Sequence, residues 1–140
     1  MSLAYRFFVA GIAFALTGMS LGTYMGIAQD FAYAPVHTHI NLVGFVTLFL
    51  FGLYYRAEPA NAAGRLPQSQ FLCAIAGAIL LPIGILGAVT GRETMDLAVI
   101  PGTLLTLASM VLFLAIVLRS WRRHAAAEPR SLMAVARPSV

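Results

Sequence analysis

The sequence predicts an all-α integral membrane protein, a bundle of four transmembrane helices, and three observations carry this prediction. Apolar residues make up 60% of the 140 residues, and charged residues make up only 10%. Soluble domains carry about 25% charged residues, so a chain of this composition needs lipid as its solvent. The apolar residues also fall into four charge-free runs, each long enough to cross about 30 Å of hydrocarbon.

Charged residues and proline-rich loops separate the four predicted spans. The spans comprise residues 7–28, 36–55, 71–91 and 97–118. Pro35 precedes the second span, and the segment from Pro59 to Pro67 follows it, as expected of residues that favour loops. Pro82 and Pro101 lie inside the third and fourth spans, where we expect them to kink the helices rather than to end them.

Arginine determines the predicted orientation, because all nine basic residues of the chain are arginine. Eight of them fall on one side of the four-span arrangement, and only Arg92 falls on the other. Since cytoplasmic loops carry the excess of positive charge, both termini are predicted to be cytoplasmic. We expect residues 1–123 to form a four-helix domain in a bacterial cell membrane, and residues 124–140 to form a flexible cytoplasmic tail. The net charge of +4 is then explained by the arginine bias that sets membrane orientation, and it does not require nucleic acid as a partner. Anionic lipid at Arg119 to Arg123 is expected to support the same orientation.

Glycines recur in the first and third spans at the spacing that lets helices pack closely. Gly18, Gly22 and Gly26 follow one another at four-residue intervals in the first span. Small residues at this spacing allow two backbones to approach within lipid, either inside one chain or between two chains of a twofold dimer. A second interpretation is that one glycine face makes room for a flat macrocycle. The sequence leaves both interpretations open.

The candidate site lies at the start of the second span, where His37 and His39 are followed by Asn41 and Gly44. Ionisable side chains at membrane depth are costly, so a pair of histidines there indicates function. Residues two apart on a helix lie about 200° apart around its axis, so the two histidines are expected to point to opposite sides. His37 shares its face with Asn41 and Gly44, which suits the bundle interior, and Asn41 is placed to orient the His37 ring. His39 shares an aliphatic face and needs a second pocket or a subunit interface.

This segment resembles one helix of the catalytic subunit of heme–copper oxidases, in particular of the nitric oxide reductase branch. The resemblance rests on the His37-x-His39 pair and on the small and aromatic run that ends at Tyr54-Tyr55-Arg56. It implies that His37 corresponds to the ligand of a high-spin heme and His39 to the ligand of a low-spin heme. The only other histidine is His124, so the chain lacks the further histidines that a reductase centre of this family needs. We therefore expect no complete catalytic centre in this chain alone.

Three functions remain open at this point. The first is binding of heme b, by His37 with Met25 or Met95 as the axial partner, or by histidines from both chains of a homodimer. Electron transfer or a heme- or gas-related role would follow from it. The second is copper binding, since imidazoles and thioethers suit Cu(I). The third is a cofactor-free accessory subunit of a respiratory membrane complex.

Overall fold

The backbone is helical over nearly its whole length in a computed structural model, which describes residues 1–135 and the side chains of residues 1–126. Four of the helices are long and apolar enough to cross a membrane, and no strand occurs within residues 1–135. The predicted all-α architecture with four long apolar helices is therefore confirmed. Large apolar side chains such as Leu16, Leu50 and Leu107 are more than half exposed on the outside of the bundle. This surface is compatible with a multi-pass membrane protein.

The helices extend beyond the charge-free runs and include polar flanking residues. The elements in chain order are α1 (Leu3–Ala28), α2 (Ala34–Ala57), a 3-10 turn (Pro59–Ala62), α3 (Arg65–Thr90), the short α4 (Glu93–Asp96) and α5 (Val99–Val135). Glycine bounds α3 at both ends, where the backbone takes the left-handed conformation that only glycine adopts without strain. The φ angle is +101° at Gly64 and +67° at Gly91.

The helices run up and down, so that alternate helix ends meet at the two ends of the bundle. At the first end, Asn61 after α2 donates a hydrogen bond to Ser120 Oγ of α5 over 2.9 Å. We call this the arginine end, because Arg6, Arg56, Arg65, Arg119, Arg122 and Arg123 lie there. At the other end, the C-terminal end of α1 packs on the N-terminal end of α2. The C-terminal end of α3 packs there on α4 and on the N-terminal end of α5. We call this the histidine end.

Aromatic side chains form much of the core near the arginine end. Phe7 of α1 is fully buried, and its ring stacks on Tyr55 of α2 with the centroids 5.6 Å apart. The Phe7 ring also meets Phe71 of α3 edge-on at 4.8 Å, and Phe51 of α2 lies 4.5 Å from Phe113 of α5. One cluster therefore joins all four long helices. The close packing of this cluster fixes the positions of the helices relative to one another, and so positions the histidine end.

The last helix differs from the expected arrangement in two respects. Pro101 lies in the first turn of α5. Backbone N–H groups in the first turn have no intrahelical acceptor, so proline breaks no hydrogen bond there and begins the helix instead of kinking it. Pro82 does lie within α3, as expected. The tail predicted to begin at His124 continues α5 as helical backbone to Val135, and residues 136–140 of that tail lie outside the described residues. At 1.5 Å per residue α5 reaches about 55 Å, well beyond the thickness of a bilayer core.

Candidate functional site

The second helix changes its hydrogen-bonding pattern directly after the two histidines. Ala34–His39 is α-helical, Ile40–Thr47 is π-helical, and Leu48–Ala57 is α-helical again. The Thr47 hydroxyl donates to the Leu42 carbonyl, five residues earlier, over 2.8 Å. The wider π turns contain Asn41 and Gly44 of the candidate site, and such segments often occur at functional sites.

His37 lies in the contact between α2 and α1. Its Nδ1 atom is 2.9 Å from the carbonyl oxygen of Gly18. Because a carbonyl oxygen can only accept a hydrogen bond, Nδ1 carries the hydrogen in this contact. In the neutral ring the lone pair is then on Nε2. A histidine held in this way through one nitrogen is prepared to bind a metal through the other.

Asn41 lies one turn after His37 and contacts the same ring. Its Nδ2 atom donates to the backbone carbonyl of His37 over 2.8 Å. The same atom is 3.3 Å from His37 Nδ1 and 3.4 Å from His37 Nε2. Because Nδ1 donates to the Gly18 carbonyl, Nε2 is the one ring nitrogen that can accept from Asn41, and at 3.4 Å this is a long hydrogen bond. An orienting role of Asn41 toward the His37 ring stays a prediction, and these contacts are compatible with it.

The α1 glycines at the histidine end serve mainly to let α2 side chains approach. A Cβ atom at Gly18 would lie 2.5–2.7 Å from the Asn41 amide, and one at Gly22 would lie 2.8 Å from His37 Cε1. Phe14 of α1 fills the corresponding space beside Gly44 of α2, where a Cβ would lie 2.5 Å from its ring. Gly26 differs, since no described side chain or other helix lies within 4 Å of its Cβ position, apart from its own chain neighbours. Close packing therefore uses the first two glycines, and open space remains beside the third.

His39 occupies a different environment from His37. Its Nδ1 atom is 2.8 Å from the Pro35 carbonyl oxygen of its own helix, so Nδ1 again donates and the lone pair is again on Nε2. The ring is partly buried, and no side-chain partner contacts its nitrogens among residues 1–126. His37 is held by α1, whereas His39 is held only by α2. The two rings therefore lie in different surroundings.

The two candidate methionines lie in separate contacts of the histidine end. Met25 is buried near the end of α1, with only 4% of its surface exposed. Met95 of α4 packs on α3, where a Cβ at Gly87 would lie 2.6 Å from Met95 Cβ. Within the described residues, no group of three or more His, Cys, Asp or Glu side chains is arranged to hold one metal ion.

Sequence reasoning missed three features that shape this site. The Gly18 carbonyl is the acceptor that determines which His37 nitrogen is protonated, and a backbone acceptor in another helix leaves no sequence signal. The contact of Gly22 with His37 and the π-helical turns are also missed. The four-residue glycine spacing indicated a close approach but did not identify the partner side chain. No protein-family model, no curated protein and no solved structure matches this chain.

Proposed function

We propose that this chain is a membrane protein that binds heme b at the histidine end, with His37 Nε2 as an iron ligand. The observation that carries the proposal is the hydrogen bond from His37 Nδ1 to the Gly18 carbonyl. Heme-ligating histidines need an unprotonated Nε2 and a fixed ring, and this bond favours both. The sequence resemblance to a heme-ligating helix supports the same assignment independently.

The residues around His37 fit a heme in their donor chemistry. The Gly18 carbonyl accepts a hydrogen bond from Nδ1 of the ring, and the Asn41 amide makes only a long contact of 3.4 Å with Nε2, which an iron ligand bond would replace. One turn further along α1, the open space at Gly26 leaves an unpacked surface where a flat macrocycle can lie. A bound heme b supplies one-electron redox chemistry and a site for a diatomic gas. Electron transfer, or a heme- or gas-related accessory role, follows from that chemistry.

The second axial ligand is proposed to be a methionine of the same chain or a histidine of a second chain. Met25 is the first candidate because it lies on α1 between Gly22 and Gly26. The dimer alternative uses His39, whose free Nε2 has no partner among the described side chains. Twofold symmetry would pair His37 of each chain with His39 of the other at two equivalent hemes, or bring the two His37 rings to one heme on the axis.

Absorption spectra of three matched histidine variants test the proposal. The full chain is expressed with heme supplementation, purified in detergent and measured oxidised and dithionite-reduced, alongside His37→Ala, His39→Ala and His124→Ala. We expect a Soret band and sharp reduced α and β bands in the wild type, lost in His37→Ala because the anchored ligand is removed. His124→Ala is the control, since that ring lies at the arginine end, 3.3 Å from Glu58.

The variants also distinguish the other functions. Loss of the Soret band in His39→Ala but not in His37→Ala would refute the assignment of His37. A wild type without any Soret band, but with stoichiometric copper by metal analysis, would replace heme with copper. A wild type with neither heme nor copper, and unaffected by both substitutions, would indicate a cofactor-free accessory subunit.

The proposed orientation places both termini in the cytoplasm of a bacterial cell. It is supported by the arginines of the arginine end, against Arg92, Glu93 and Asp96 near the histidine end. Single cysteines introduced at Ser2 and at Thr94, in a Cys73→Ser background, test it with a membrane-impermeant thiol reagent. We expect labelling of the Thr94→Cys chain in intact cells and labelling of the Ser2→Cys chain only after lysis. The reverse pattern would contradict the orientation.

A further inference from the structure

The arginine end contains a cavity that the proposed heme site does not use. Its volume is about 560 Å³, within the range of small-molecule sites. It lies between the loop that joins α2 to α3 and the region of α5 around Arg119. Asn61, Pro67 and Ile116 contribute buried parts of its lining, so the cavity has a floor within the fold.

Four arginines line this cavity, and no acidic residue does so among the side chains of residues 1–126. They are Arg65 at the start of α3 and Arg119, Arg122 and Arg123 on α5. Within residues 1–126, no carboxylate makes an ion pair with the four guanidinium groups; the carboxylate of Glu58 contacts His124 and Ser120 instead. Like charges brought together in a concave site repel one another, and a bound anion would relieve that repulsion.

Hydrogen bonds hold one of these arginines against the cavity floor. Arg123 donates to Asn61 Oδ1, and the Asn61 amide in turn donates to Ser120 Oγ over 2.9 Å and to the Tyr54 hydroxyl over 3.0 Å. Asn61 is itself 6% exposed. Arg65 and Arg122 make no side-chain hydrogen bond within residues 1–126, so their donors are available to a ligand.

The remaining lining identifies the ligand chemistry. The guanidinium fork matches the oxygens of a phosphate group, and arginine is the usual residue for phosphate recognition. Leu66, Pro67 and Ile116 add an apolar wall beside the charged groups. A ligand with a phosphate next to an apolar portion matches both surfaces. The cavity lies at the end of the bundle where α3 begins and where α5 leaves the apolar region. This is the depth of lipid headgroups.

We infer that this cavity is a binding site for a phosphate-bearing anion, with the headgroup of an acidic phospholipid as the ligand class that fits its lining best. Free inorganic phosphate shares the recognised chemistry and is the second possible source. Binding at this site is independent of the proposed heme function, since its residues lie at the opposite end of the bundle from His37 and His39.

Calorimetric titration of the full-length chain in a neutral detergent tests this inference. The titrants are dihexanoyl phosphatidylglycerol, dihexanoyl phosphatidylcholine and inorganic phosphate. The variant combines Arg65→Gln with Arg122→Gln, and the control is Arg56→Gln, an exposed arginine of the same end that does not line the cavity. The chosen substitutions break no described hydrogen bond, and a melting curve verifies that each variant is folded.

We expect phosphatidylglycerol to bind the wild type and Arg56→Gln alike, and the double variant at least tenfold more weakly. If inorganic phosphate does not compete with phosphatidylglycerol, the ligand is a lipid. If it competes with similar affinity, the source is soluble phosphate and the site itself stands. Equal binding of phosphatidylcholine, equal weakening in Arg56→Gln, or unchanged binding in the double variant would overturn the inference.

Discussion

Replacing Gly22 with alanine tests whether α1 and His37 are packed as closely as the structure indicates. The new Cβ would lie 2.8 Å from His37 Cε1 and 3.2 Å from His37 Nδ1. Ordinary contact begins at 3.4 Å, so the ring must move by 0.6 Å, the difference between 3.4 and 2.8. Moving it stretches the 2.9 Å bond between Nδ1 and the Gly18 carbonyl. The substitution therefore strains the contact between α1 and α2 and at the same time displaces His37, the proposed heme ligand.

The magnitude follows from comparison with Gly26→Ala in the same helix. Overpacking of this kind costs about 1–3 kcal/mol. Both substitutions gain up to about 1 kcal/mol of helix propensity, and this gain cancels when the two variants are compared. Because the Gly26 position is open, Gly26→Ala has no overpacking cost. We expect Gly22→Ala to be less stable than Gly26→Ala by about 1–3 kcal/mol.

The free energy of unfolding is measured for both variants in mixed micelles of a mild detergent and dodecyl sulfate. The heme spectrum of each variant is recorded beside it. We expect Gly22→Ala to lower stability and to shift or weaken the Soret band. Gly26→Ala is the control for stability alone, because Gly26 borders the proposed heme surface. Stabilities that agree within about 0.5 kcal/mol would refute the packing described for His37.

Three further substitutions test the frame of the bundle in the same unfolding assay. Asn61→Ala is expected to cost about 1–3 kcal/mol, because it leaves buried partners such as Ser120 without their hydrogen bond; a neutral result would contradict that network. Gln70→Met is expected to cost about 1 kcal/mol, because it removes the acceptor of the buried Tyr55 hydroxyl together with an Nε2 atom that has no described partner; a loss above about 3 kcal/mol would contradict this balance. Gly102→Ala is expected to cost about 1–3 kcal/mol, because its Cβ would lie 2.5 Å from the backbone nitrogen of Leu81, and a gain in stability would disprove the close contact of α3 and α5.

The fold was predictable from the sequence because its main determinant is local. A charge-free run of about 20 residues specifies a long apolar helix without reference to any other part of the chain. That His37 and Asn41 face the same side of the helix was also predictable locally, because each helical residue is rotated by about 100° from the one before it. The contacts of both side chains with Gly18 and Gly22 agree with that expected face.

The details of the candidate site were not predictable because they depend on contacts between distant residues. The π-helical turns lie where Gly44 packs on Phe14, a residue of another helix. The protonated nitrogen of His37 is determined by the carbonyl of Gly18, which lies 19 residues earlier in the chain. The arginine cavity likewise needs Arg65 and the α5 arginines, which the sequence places more than fifty positions apart. Hydrophobic periodicity contains no information about such pairings.

The heme content of the purified chain tests the central claim most directly. Full-length protein from heme-replete cells is assayed for heme b by its pyridine hemochrome and for protein by amino-acid analysis. The account predicts one heme per chain for ligation by His37 and a methionine, or one per two chains for a heme shared across a dimer. A chain that is folded and monodisperse but contains no stoichiometric heme would contradict the account.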